Sequence, residues 1–273
     1  MLGTMTSIHM TLFQAAVLGA VQGLTEFLPV SSSGHLILVP ALLGWKDASS
    51  LAFDAAVNVG TVAAVLFALR ADILRVLRGL LHPRTDAWGR LGWMIAVATV
   101  PAVLAALLFR DVLELYARTP QVVAGSLAVW GVLLLIADRT VKAGEKDVAK
   151  IGWKRALVLG CAQALALVPG TSRSGVTITA GLFAGLDRTA AARFSFLLGL
   201  PVLVLASVSG VYDVAKGGTD VSVAAMAIGI LTAFGAGLFA IRWLLKLFRG
   251  DATYKWFAVY RIGLAALVLA FLG

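Results

Sequence analysis

The sequence predicts an all-α integral membrane protein, with six spanning helices and two re-entrant helix–loop–helix hairpins arranged as an inverted-topology repeat. Three observations carry that prediction. The 273 residues are 60% hydrophobic and 14% charged, with a mean hydropathy of +0.94, whereas soluble domains carry about 25% charged residues. Long apolar runs recur, each meeting or approaching the ~20 residues that cross a bilayer as a helix. The chain also matches itself at an offset of 141 residues. Too few charges remain to coat a water-soluble enzyme or nucleic-acid binder, and a disordered chain would be poor in apolar residues.

In chain order, the first element is the segment 12–44, an apolar half, a Pro/Ser/Gly-rich break and a second short apolar half. Halves of ~10–17 residues are too short to span, so the segment is expected to enter the membrane and return to the same side. Spanning runs follow near 52–69, 91–109 and 120–138. The segment 156–185 repeats the broken pattern, and spanning runs near 193–211, 222–243 and 256–272 complete the chain. Broken backbone within lipid must be buried in protein or line a wet cavity, so each break is expected to mark a site. Before residue 40 there is no Lys or Arg. The basic region of a cleavable signal is therefore missing, and the first apolar segment is expected to be retained.

Adding 141 matches Val17, Leu18, Gly19, Gln22, Leu24, Ser31, Ser33 and Gly34 to identical residues, eight of the 18 positions from 17 to 34. Gly44 with Gly185 and Phe53 with Phe194 continue the register. One membrane domain, 1–273, is expected, with a first repeat at about 10–138 and a second at about 152–273. Three spans follow each hairpin, so the second copy must enter the membrane inverted. On that topology 17 of the 23 Lys and Arg fall on one side, in the segments 70–90, 139–155, 186–193 and 242–255. Four fall on the other (Lys46, Arg110, Arg118 and Lys216), and Arg173 and Arg261 lie within membrane segments. The bias makes the basic side cytoplasmic and puts both termini outside. It also explains the excess of 23 Lys+Arg over 14 Asp+Glu without a nucleic-acid partner. Cys161 is the lone cysteine and excludes an intramolecular disulfide; His9 and His82 read as surface residues.

The polar residues of the two breaks carry the chemistry. The first reads QGLTEFLPVSSSGHL, from Gln22 to Leu36. Glu26 is the one glutamate of three within a membrane segment, where a charge costs ~2.5–3.5 kcal/mol unless it is paired, hydrated or metal-bound. Its alternative is a protonated carboxyl bonded to a neighbouring carbonyl. Gln22, one turn earlier on the same face, suits a metal or a hydrogen bond across helices. Ser31, Ser32, Ser33, Gly34 and His35 open a half-helix, whose free N–H groups attract phosphate; as plain N-caps the serines need no ligand. Ser32 and His35 can act as nucleophile and base, or as phosphate ligand and acid, in either order. The second break reads PGTSRSG, Pro169 to Gly175. There Thr171, Ser172, Ser174 and Gly175 are candidate phosphate ligands beside Arg173, whose guanidinium fork fits a phosphate or pairs with Glu26. Asp54 and Asn58, four apart, suit a divalent cation or a charged helix N-terminus. Across the repeat Glu26 aligns with Leu167 and Ser32 with Arg173, so a duplicated frame divides its chemistry between the copies.

At QGLTEFLPVSSSGHL and PGTSRSG the sequence resembles the undecaprenyl-diphosphate phosphatase family, the membrane enzymes associated with bacitracin resistance. The likeness continues through FDAAVNVGTVAAVLF (53–67), RFSFLLGLP (193–201) and YR (260–261) and covers nearly the whole chain. It implies removal of the terminal phosphate from undecaprenyl diphosphate, a polyprenyl lipid, at the outer face of the bacterial cytoplasmic membrane, which renews a carrier for cell-wall synthesis. By resemblance Glu26 is the second acidic position of the first motif, Ser32 and His35 the catalytic serine and histidine, and Arg173 the arginine of the second motif. Gln22 stands where many members have glutamate, so metal binding falls to Glu26 alone or with Asp54. A need for magnesium or calcium is likewise implied. Ser32 is then the expected nucleophile with His35 as base or itself the attacking group, and Glu26 binds the metal or positions water. The sequence allows a homo-oligomer. The rival expectation is a transporter or flippase of a polyprenyl phosphate, built from the same inverted repeat.

Overall fold

The computed structural model describes residues 10–45, 50–116, 119–141, 144–219 and 221–272. His9 and Lys46 lie outside them. All regular structure among these residues is helical, apart from an isolated bridge between Glu145 and Leu186. The expected first hairpin is α1 (Leu12–Phe27) and α2 (Ser32–Leu42). Then come α3 (Leu51–Ala68), α4 (Arg70–Gly79), α5 (Ala87–Tyr116) and α6 (Pro120–Thr140). The second broken segment is α7 (Trp153–Ala164), a 3-10 turn at Leu165–Leu167, and α8 (Arg173–Phe183). Helices α9 (Arg188–Gly217), α10 (Val223–Leu247) and α11 (Lys255–Leu272) close the chain.

Four of these, within α5, α6, α9 and α10, are long and apolar enough to cross a membrane, five if α3 and α4 form one broken span. The segment 70–90, expected only as part of the basic side, contains the helix α4. Leu69, Ile73, Val76 and Leu80 recur at helical spacing there, while Arg75 and Arg78 share the segment. Such an amphipathic stretch leaves the axis of α3, here by 77°. Asp72 on α4 is almost fully buried and accepts from both Nε and Nη2 of Arg193 on α9. Asp138 near the end of α6 accepts from Arg188 Nε at 2.6 Å. These two pairs fasten the start of α9 to α4 and α6 and carry it N-terminal to the expected span.

Packing repeats between the halves. Helix α1 lies on α10 and α7 on α5, while α3 packs on α9 and α6 on α11. The main core joins both copies: Phe27 meets Phe196 edge to face with centroids 5.6 Å apart, among Leu91, Leu134, Ile178 and Phe194. Inside a membrane, close helix contact needs small residues, because lipid is as apolar as the side chains it would replace. Gly19 of α1 meets that need. A Cβ there would collide with the Gly229 carbonyl and Thr232 Oγ1 of α10. Gly19→Val should therefore force α1 off α10 and lower the melting temperature in detergent by several degrees, in line with the 1–3 kcal/mol that overpacking typically costs (about 2 kcal/mol). Melting unchanged from wild type would contradict this contact.

Candidate active site

Both helix breaks are built alike, and proline starts each. Leu28 and Val168 precede Pro29 and Pro169 and are extended, as a residue before proline prefers. Ser31 (φ 75°) and Ser172 (φ 70°) are the only non-glycine residues with positive φ among those described, and they are 141 apart. Each caps the next half-helix through its hydroxyl, accepting from Gly34 N at 3.4 Å and Gly175 N at 3.1 Å. Each also bonds the hydroxyl two residues on, Ser33 at 3.2 Å and Ser174 at 3.3 Å. Such a conformation costs about 1–3 kcal/mol and persists only where the surroundings over-determine it.

The surroundings are the other break. Ser174 Oγ donates to the Leu28 carbonyl at 3.0 Å, and the Gly170 amide donates to Ser33 Oγ at 3.4 Å. Arg261 of α11, fully buried, donates to Pro29 O at 3.3 Å on one side and to Gly170 O at 3.0 Å and Thr171 O at 2.9 Å on the other. Its Nε reaches Leu127 O of α6 at 3.3 Å. A buried guanidinium thus spends both Nη groups on carbonyls at the two breaks and its Nε on α6. In the sequence Arg261 stands within a membrane segment with no assigned role. An arginine in the apolar run 256–272 was the available signal.

At this junction the structure gathers Glu26, Ser32, Arg173 and Gln22. Arg173, first residue of α8, donates from Nη2 and Nε to Glu26 Oε1 at 3.1 and 3.3 Å. Both side chains are only 10% exposed. Glu26 Oε2 accepts from Ser32 Oγ at 2.8 Å and from Gln22 Nε2 at 3.2 Å. Gln22 Nε2 also reaches Asn58 Oδ1 of α3 at 3.0 Å. The far side of the guanidinium is fixed by Nη1 on the Ser195 carbonyl at 3.1 Å. Gly199, one turn along α9, makes the room: a Cβ there would fall within the guanidinium. Neither Gly199 nor Ser195 was singled out from sequence, since their roles exist only after α9 packs beside α8.

His35 is held elsewhere. Its Nδ1 lies 2.7 Å from the Ser31 carbonyl and its Nε2 2.7 Å from the Tyr260 hydroxyl, with the two rings stacked. A carbonyl accepts only, so Nδ1 carries a proton and donates to it, while Nε2 shares a hydrogen bond with the Tyr260 hydroxyl. The serine that shares a hydrogen bond with a base is accordingly Ser32 with Glu26. Asp54 sits in the first turn of α3, one turn before Asn58. Among the described residues no three His, Cys, Asp or Glu come together as a metal cluster. Two oxygen donors remain nearby: the Glu26 carboxylate, and Gln22 Oε1, which is buried without a partner while the amide nitrogen faces Glu26. A carboxylate and an amide oxygen are hard donors of the kind that magnesium and calcium take.

The site can therefore bind an anion at Arg173 and two half-helix N-termini, beside a hydroxyl already bonded to a carboxylate. Residues 15–267 match the family described as bacitracin resistance protein BacA. The chain is 44% identical to a Stutzerimonas stutzeri protein named undecaprenyl-diphosphatase 2, over 95% of this chain and 98% of that one. It is 43% identical to the undecaprenyl-diphosphatase of Marinobacter nauticus, over 96% of this chain and 100% of the other. The matched stretch takes in both breaks and the arginine that ties them, and the chain belongs to the BacA family.

Proposed function

We infer that the protein hydrolyses undecaprenyl diphosphate to undecaprenyl phosphate and inorganic phosphate, renewing the lipid carrier. The observation that carries this reading is the meeting of Glu26, Arg173 and Ser32 where the two breaks interlock, in a chain full-length similar to undecaprenyl-diphosphatases. Phosphoryl transfer asks a protein mainly for positioning and charge neutralisation. Arg173 and the first-turn N–H groups of α2 and α8 take the phosphate charge. Ser32 Oγ, already donating to Glu26, attacks the terminal phosphorus as Glu26 accepts its proton; the bond to the bridging oxygen breaks, undecaprenyl phosphate leaves, and the proton passes from Glu26 to that leaving oxygen. Water, giving its proton to the freed Glu26 carboxylate, then attacks the phosphoserine; the Oγ–P bond breaks, inorganic phosphate leaves, and Ser32 Oγ takes the proton back from Glu26. His35, with Nδ1 on Ser31 O and Nε2 on Tyr260, orients the strained serine turn. Ser31, Ser33 and Ser174 hold the junction, and Ser172 and Thr171 shape it. Glu26 and Gln22, with Asp54 at the rim, would hold magnesium or calcium. Such an ion would add positive charge against the diphosphate.

The reading includes a six-span topology with two re-entrant hairpins and inverted halves. It is supported by the matching serine turns, the paired packing of α1 with α10 and of α7 with α5, and the 17-to-4 division of cations. The basic side is then cytoplasmic, both termini lie outside, and the diphosphate is cleaved at the outer face of the cytoplasmic membrane while the prenyl tail stays in lipid. A carrier of polyprenyl phosphate would need the anion site but not a hydroxyl bonded to a carboxylate, which favours the hydrolase.

Purified protein in detergent should release phosphate from undecaprenyl diphosphate with magnesium or calcium and lose that activity with chelator. Arg173→Ala should lower kcat by about 10²–10³-fold, as loss of one anion-stabilising donor does. No release by folded wild type, or near-normal turnover by the variant, would overturn the reading. Gly199→Ala should displace the guanidinium and lower kcat while leaving Ser32 and Glu26 in place. Unchanged turnover in that variant would contradict the observed seat of Arg173.

A further inference from the structure

Away from this centre, the two arms of the second hairpin and α6 enclose a cleft of about 750 Å³. Trp130 and Leu133 of α6, Val158 of α7 and Phe183 at the end of α8 give it apolar walls. Lys154 and Arg155, in the first turn of α7, close one end. No carboxylate lines it among the described residues. Arg155 is held across that end by a 2.9 Å hydrogen bond from Nε to the carbonyl of Ala184, the C-cap of α8. That bond uses one of its three nitrogens and keeps the fork at the rim. Val158 and Phe183 are about half exposed, so the cleft opens sideways between the helices.

The shape and charge select one kind of occupant. In a bilayer an apolar wall does not distinguish one lipid chain from another, because leaving the lipid for the cleft gains little. Discrimination falls to the charged end, where two cations without a counter-charge favour a phosphate that carries net charge. We propose that this cleft is a binding site for an anionic phospholipid, its phosphate against Lys154 and Arg155 and one acyl chain along α8 toward Trp130. The lipid comes from the leaflet beside the Lys/Arg-rich loops, and it bridges α6, α7 and α8, the last of which carries Arg173 at its other end. The site is separate from the diphosphate site, and its occupancy does not depend on hydrolysis.

Native mass spectrometry of the full chain in detergent, titrated with phosphatidylglycerol or with phosphatidylcholine of the same chains, tests this directly. Wild type should keep one phosphatidylglycerol under conditions that strip phosphatidylcholine. Lys154→Gln and Arg155→Gln should each weaken that retention by about fivefold, the usual effect of one cation near an anionic lipid. Lys154 is exposed and its variant leaves the Arg155–Ala184 bond intact, so it reports on binding rather than folding. Equal retention of both lipids would make the cleft a plain apolar gap and overturn the proposal. So would equal phosphatidylglycerol retention by the double variant, or displacement of the lipid by inorganic phosphate alone. Because turnover is not read, these outcomes stand apart from the hydrolase reading.

Discussion

The ion pair between Glu26 and Arg173 sets the terms for the rest of the structure. Each charge sits in a helix break within an apolar chain, and neither could stay there alone: removing one partner of a buried pair typically costs about 3–5 kcal/mol. Pairing two residues 147 apart in the chain requires that the two breaks meet at one place. That requirement accounts for the rest of the junction. Ser174 and Ser33 cross-link the breaks, Arg261 satisfies the carbonyls on both, and Gly199 leaves α9 thin enough to admit the guanidinium. The pair is also useful to a phosphatase. Arg173 is held on a carboxylate rather than on fixed carbonyls alone, so an incoming phosphate competes for a cation that is already positioned.

Duplication explains a second feature. Gln22 bonds Glu26 and Asn58, and its counterpart 141 residues on is Gln163, fully buried with neither end of its amide partnered. The counterparts of its two partners are Leu167 and Gly199. Where the first half has a carboxylate and an asparagine, the second has a leucine and the glycine beside which Arg173 sits, and the glutamine keeps its place in the common frame. One half supplies the carboxylate and the hydroxyl, the other the cation. A single copy could not make this site.

The helical class, the two breaks and the residues at them were legible in the sequence because each is a local signal: apolar runs of a given length, proline and glycine clusters, a carboxylate and an arginine where lipid forbids them. The repeat was legible because identical residues recur at one offset. What stayed hidden depends on packing. Arg261 reads as one more cation until α11 is set against both breaks, and Tyr260 becomes relevant only when its hydroxyl reaches His35. Ser32 and His35, three apart, suggested a nucleophile and base. The backbone turn at Ser31 instead sends the imidazole to a carbonyl and a tyrosine, and gives Ser32 to Glu26. Helix α4 is hidden because the five arginines between 70 and 90 mark a side of the membrane more plainly than the apolar period beneath them marks a helix.

Central to this account is the claim that Glu26 and Arg173 act as one unit joining the two halves. A double-mutant cycle on phosphate release from undecaprenyl diphosphate tests it most directly, with Glu26→Gln, Arg173→Gln and both together measured beside wild type. Groups that work as a unit are strongly non-additive. The account predicts that the double variant is no slower than the slower single variant. Losses that simply multiply, as for independent sites, would contradict it.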